Sequence, residues 1–106
     1  KTHAQAVRDL FDVPDIEKVI LSVAFVSENG VQQIEAALRP HAAQVTVFAG
    51  IRNDITSQQG LALLHSIGVK LYTVDTGSRA VIFHPKLYLV RGRTNARFVV
   101  GSANLT

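Results

Sequence analysis

Ile16-Glu17-Lys18-Val19-Ile20-Leu21-Ser22-Val23-Ala24-Phe25-Val26-Ser27 decides the fold. From Val19 to Val26 the one polar residue is Ser22. The run is far short of the ~20 apolar residues that a membrane-spanning helix needs. It suits a central strand buried on both faces. Asn29-Gly30 then turns the chain. Val31, Ile34, Ala37 and Leu38 recur at helical spacing up to Pro40, which predicts a helix over 31–38.

The same strand–helix alternation extends in both directions. Upstream, Thr2 is placed to cap a helix carrying Ala4, Val7, Leu10 and Phe11, and Val13-Pro14-Asp15 ends it. Downstream, Val45 to Ala49 reads as a strand closed by Gly50. Thr56 or Ser57 caps the next helix, with Leu61, Leu64 and Ile67 on its buried face and Gly68 at its end. Val69 to Val74 is a third strand, and Asp75-Thr76-Gly77-Ser78 is a loop. Ala80 to Val90 and Arg97 to Val100 are two further strands, joined by a hairpin turn at Gly92-Arg93-Thr94-Asn95. The order α-β-α-β-α-β-β-β predicts an α/β fold: a mainly parallel mixed sheet flanked by helices on both faces, with an antiparallel pair at the end.

The 106 residues are enough for a single domain over 1–106, and 47% of them are apolar, so the chain can build a core. It contains no cysteine, which excludes disulfides and thiolate metal sites and suits a reducing, cytoplasmic home. The net charge of +3 permits a polyanionic partner. There is no signal-peptide pattern, internal repeat or low-complexity segment. The chain begins at Lys1, has no methionine, and stops at Thr106 where a further helix is due. Those features lead to the expectation of a piece of a longer protein.

Two short stretches carry chemistry. His84-Pro85-Lys86 lies on the fourth predicted strand, and Gly101-Ser102-Ala103-Asn104 follows the fifth. Residues two apart in a strand share a face, so His84, Lys86 and Tyr88 are expected on one side, with Phe83, Pro85, Leu87 and Leu89 toward the core. An imidazole and an ammonium in an apolar strand need an anionic partner, such as a phosphate. Pro85 cannot donate a ladder hydrogen bond and leaves the strand locally open. Gly101 allows close backbone approach. Ser102 or Asn104 can cap a following helix, whose free N–H groups attract an anion.

These residues resemble the motif of the phospholipase D superfamily: His-x-Lys, four residues, Asp, then Gly-Ser-x-Asn. The matching positions are His84, Lys86, Gly101, Ser102 and Asn104, and Arg91 stands where the motif has Asp. The strand ending Ala24-Phe25-Val26-Ser27, followed by Asn29-Gly30, is similar to phospholipase D-like domains attached to restriction endonucleases and DNA helicases. The resemblance implies a metal-independent and cofactor-free phosphodiesterase, a nuclease acting on DNA. His84 would be the nucleophile and would form a covalent phosphohistidine. Lys86 and Asn104 would stabilise the phosphoryl oxygens, and Gly101, Ser102 and Tyr88 would line the substrate site. With one motif copy per chain, a complete site implies a homodimer or a second repeat.

Two other functions fit the same residues. Arg91 in the Asp position suits a catalytically degenerate domain that binds nucleic acid or a protein. Lipid headgroup hydrolysis is chemically open to the motif, but nothing in the sequence builds a membrane-binding surface. His3, His41 and His65 have no partner at metal-ligand spacing and read as structural or solvated. Glu28 and Arg52 fall in loops after strands and can line a site there. Arg79, Arg91, Arg93 and Arg97 can meet backbone phosphates or keep a strand edge soluble.

Overall fold

The computed structural model describes residues 3–23, 26–50, 58–74 and 87–100. Helix α1 (His3–Asp9) runs into a 3-10 turn (Leu10–Asp12), followed by strand β1 (Ile16–Val23) and helix α2 (Glu28–Leu38). A 3-10 segment (Arg39–Gln44) leads to β2 (Val45–Gly50), then α3 (Gln58–Ile67), β3 (Lys70–Val74), β4 (Leu87–Gly92) and β5 (Ala96–Val100). The element order is the expected one.

The sheet has the order β3-β2-β1-β4-β5, with β1 in the middle. β1 and β2 pair in parallel, as do β2 and β3. β4 runs antiparallel to β1, and β5 antiparallel to β4. The fold is thus mixed α/β, with a parallel half and an antiparallel half. The hairpin at residues 92–95 is closed by a 2.7 Å hydrogen bond from the Gly92 N–H to the Asn95 carbonyl.

Burial separates the two faces of this sheet. Val19, Leu21 and Val23 on β1, Val45, Val47 and Ala49 on β2, and Tyr88 and Val90 on β4 are all buried. They are register partners (Val19 with Val45 and Val90, Leu21 with Val47 and Tyr88), so they share one face. That face forms one core with Val7 of α1, Val31, Ile34 and Leu38 of α2, and Leu64 and Ile67 of α3. Each fully buried Val or Leu contributes roughly 1.5–3 kcal/mol relative to exposure.

The opposite face carries Ile20, Phe48, Leu87 and Leu89, all only half-buried and none belonging to that core. Among the described residues the helices therefore gather on one face rather than two, and on the other side of β1 Ser22 is buried while Ile20 is only half-buried. The near-continuous apolar run of β1 hid this difference, because both faces of the strand carry apolar residues. The same register corrects β4. Leu87 and Leu89 were expected in the core, but the deeply buried side of β4 is that of Tyr88 and Val90.

Local chemistry explains the remaining boundaries. α2 begins at Glu28, three residues before the first residue of its apolar repeat. Ser27 stands in extended backbone (φ −126, ψ 159) and its hydroxyl accepts the Gly30 N–H at 3.1 Å. Asn29-Gly30 is thus part of a capped first turn rather than a separate turn. Gly68, at φ +96, ends α3 in the left-handed conformation expected of a C-terminal glycine. Of the expected caps, Thr2, Thr56 and Ser57 lie outside the described residues, as do 80–86 of the predicted fourth strand. No helix among the described residues is long and apolar enough to cross a membrane.

α2 and α3 lie in close contact at their first turns. A Cβ on Gly60 would sit 2.8 Å from the Ser27 carbonyl carbon and 3.1 Å from the Glu28 nitrogen, both backbone atoms at the start of α2. Alanine is the better helix former by about 1 kcal/mol. Gly60→Ala is nevertheless expected to destabilise the protein by ~1–3 kcal/mol, the usual range for overpacking. Urea unfolding checks this, and a raised midpoint would contradict the packing described.

Candidate functional site at one edge of the sheet

The strand directions bring one end of each of the five strands to a common edge. β1, β2 and β3 are parallel, so Val23, Gly50 and Val74 end there. β4 is antiparallel to β1 and starts at that edge, with Leu87 opposite Ser22. β5 returns to it, with Val100 opposite Leu87. In open α/β sheets the ends of parallel strands are where ligands bind.

α2 begins at the same edge, a few residues beyond the end of β1, and brings exposed Glu28 with it. Gly60 holds the first turn of α3 against that of α2. The edge is therefore framed by two helix starts and the strand ends. Arg52, expected in the loop after β2, lies outside the described residues, as does Arg79.

His84, Lys86, Gly101, Ser102 and Asn104 also lie outside the described residues. What is described is the pair of strands to which they are joined. Lys86 immediately precedes Leu87, and Gly101 immediately follows Val100. Leu87 and Val100 are register partners, and opposed residues in antiparallel strands have Cα atoms about 4.5–5.5 Å apart. The hairpin turn held a signal for this register that a reading by elements passes over. Counting outward from Arg91 and Ala96, which face each other, leads directly to Leu87 and Val100.

Tyr88 is not placed as expected. Its side chain is 1% exposed and belongs to the core, between Leu21 on β1 and Val99 on β5. Burial raises the pKa of its hydroxyl well above the ordinary tyrosine range. Tyr88 is thus a packing residue under the helices. A phenol in a strand of mostly apolar neighbours reads equally well as ligand or core, and only the register decides.

Arg91, in the position of the motif Asp, lies four residues along β4 from Leu87 and so about 13 Å from the edge. Its exposed side faces away from the core, opposite Lys18. Arg97 is engaged with the helical layer, donating from Nη1 to the Asp9 carbonyl at 3.2 Å. His41 stacks on Phe11 with ring centroids 6.0 Å apart, a structural role. His65 is exposed in the last turn of α3. Among the described residues no group of three His, Asp or Glu side chains gathers to hold a metal ion.

No family model matches the sequence, and no curated protein matches it either. Among solved structures, the chain is similar to a polyphosphate kinase from Porphyromonas gingivalis. The match has a TM-score of 0.63 and 19% identity and covers 97% of this chain. The chain spans 18% of the length of that kinase. The similarity establishes a shared fold.

The buried phenol of Tyr88 gives a pH signature. In the unfolded chain a tyrosine loses its proton near pH 10. The folded state holds the proton to higher pH, so above about pH 10 the unfolded state binds fewer protons and stability falls. Below that pH the group contributes no pH dependence. Denaturant unfolding between pH 9 and 11.5 is expected to show a shallower decline for Tyr88→Phe than for the parent. Equal slopes would mean that the phenol is accessible to solvent.

Proposed function

We propose that the chain is the phospholipase D-like part of a metal-independent phosphodiesterase acting on nucleic acid, DNA foremost. The observation that carries this reading is the β4–β5 register, in which Leu87 faces Val100. The two motif stretches are joined in sequence to these paired residues, at the edge where the parallel strands end. The fold shared with a polyphosphate kinase adds a precedent for chemistry at phosphorus.

In this mechanism an imidazole nitrogen of His84 attacks phosphorus and forms an N–P bond as the P–O bond to the leaving group breaks. The leaving oxygen takes a proton from a second histidine, supplied by a second copy of the chain or a second repeat. That histidine then removes a proton from water, which attacks phosphorus, breaks the N–P bond and frees His84. Lys86 and Asn104 hold the non-bridging oxygens as charge develops on them, and the backbone at Gly101 and Ser102 approaches the same oxygens. No metal or cofactor enters the scheme. The site belongs to a homodimer or a pair of repeats in a cytoplasmic protein, of the kind found with restriction endonucleases or helicases.

A second reading is favoured by one observation, Arg91 in place of the motif Asp. It keeps the fold and nucleic-acid binding and drops the chemistry.

One experiment separates them. The intact protein is incubated with labelled DNA in EDTA, and the protein is quenched in alkali and probed for phosphohistidine. The proposed activity predicts cleavage and a trapped adduct, with His84→Ala lowering the rate at least roughly a hundred- to ten-thousand-fold and leaving unfolding unchanged. Cleavage that survives in the variant would remove His84 from the mechanism. DNA binding without an adduct would establish the degenerate reading. Turnover of phosphatidylcholine vesicles in place of DNA would transfer the chemistry to lipid.

A further inference from the structure

The face of the sheet that carries no helix among the described residues presents aromatic rings. Register and alternation place Tyr72, Phe48, Ser22 and Leu87 on one row across the strands. Lys70, Thr46, Ile20, Leu89 and Phe98 form the next row. Tyr72 is 54% exposed and Phe98 65%, the large exposed hydrophobics of the described residues. Phe48 and Tyr72 already stack, with centroids 5.4 Å apart and planes 18° from parallel.

The charge of this face has one sign. Lys18, Lys70 and Arg91 project from it and are exposed, and none of its register-paired positions is Asp or Glu. Lys18 stands directly opposite Arg91. Like charges in that relation, with Cβ atoms about 4.5–5.5 Å apart, destabilise a sheet. No ion pair among the described residues neutralises either one. Two opposed cations beside open aromatic rings fit a ligand that is both polyanionic and planar.

We infer that this open face is a stacking platform for single-stranded nucleic acid. Bases lie on Phe98 and on the Phe48–Tyr72 pair, and the backbone phosphates run past Lys18, Arg91 and Lys70. Sheets that expose aromatics bind single strands in this way, each base contributing through its π-face without regard to sequence. From β3 to β5 the face spans four strand spacings, about 19 Å, enough for several nucleotides. A second copy of the chain would bring the same three cations against themselves. A duplex would offer phosphates but no base faces. The platform takes its ligand class from the proposed activity but lies on a different surface from the His84 edge, so the two can be tested apart.

The test is fluorescence anisotropy of a labelled oligothymidylate with the His84→Ala protein, so that cleavage does not intervene. Phe98 and Tyr72 are exposed enough to be replaced without disturbing the core. Phe98→Leu keeps an apolar side chain and removes the ring, and is expected to weaken binding roughly ten-fold, as is Tyr72→Ala. Phe98→Trp is expected to retain the parent affinity. Lys18→Gln is expected to lower the slope of log affinity against log salt by about 0.7, the value for one phosphate contact on a single strand.

Full affinity in Phe98→Leu would overturn the proposal, as would no binding of the oligonucleotide by the parent. So would self-association of the parent, seen by sedimentation and abolished by Phe98→Leu, since the face would then be an interface between copies. If these variants bind normally while His84→Ala still abolishes cleavage, the platform fails and the phosphodiesterase stands. If binding depends on the rings but no phosphohistidine forms, the platform stands and the phosphodiesterase fails.

Discussion

The organisation of this molecule depends on the two unlike neighbours of β1. On one side β2 runs parallel to it, and on the other β4 runs antiparallel. A parallel neighbour ends where β1 ends, and an antiparallel one begins there. The hairpin then returns β5 to the same place. Had β4 run parallel to β1, the hairpin would still pair Leu87 with Val100, but at the edge opposite the one where β1, β2 and β3 end. The hairpin thus brings Leu87 and Val100, thirteen residues apart, to within a strand spacing, and the direction of β4 sets them at the edge where the parallel strands end. The proposed chemistry depends on that proximity, since in it an imidazole and the groups that grip phosphate reach one phosphorus atom.

A second consequence follows from how the helices are shared out. Among the described residues three helices and one aliphatic layer complete a core against a single face of the sheet. The core is deep enough to hold a phenol away from water at Tyr88. The other face gains nothing from those helices, and its apolar residues are left half-exposed. Apolar area facing water is unfavourable at roughly 25 cal/mol per Å². Rings on such a face are useful only to something that covers them. The edge and the open face are therefore different kinds of surface, one defined by chain ends and the other by side chains.

Much of this was legible in the residues. The alternation of apolar periods located every helix and strand, because each period belongs to one kind of element. Gly68 marked the end of α3 because only a left-handed residue closes a helix there cheaply. Three features were not legible. The apolar run of β1 could not reveal one-sided burial, since Ile20 looks the same in a sequence whether a helix covers it or not. Tyr88 could not be assigned to core or site, because phase along β4 depends on its pairing with Leu21. The start of α2 was obscured by Asn29-Gly30, whose turn propensity is overridden when Ser27 caps the segment. In each case the missing information is a partner on another element. For the candidate site the motif residues were readable as a set, and the pairing of Leu87 with Val100, to which they are joined, required the register.

Arg91 links the edge to the open face. Read along the sequence, it is a missing carboxylate next to a catalytic motif and weakens the case for chemistry. In the fold it lies about 13 Å along β4 from the edge, with its side chain on the open face. A group at that distance cannot contact a phosphorus held at the edge, and so its charge acts elsewhere. Directly opposite is Lys18, and an aspartate at position 91 would have paired with it across the strands. The arginine removes that pairing and leaves two cations side by side where one neutral pair could have been. A substitution that merely disabled a site would not need to reverse the charge. The proposed platform gains a phosphate contact from the reversal, and in that proposal the departure from the motif and the cations of the open face are one feature.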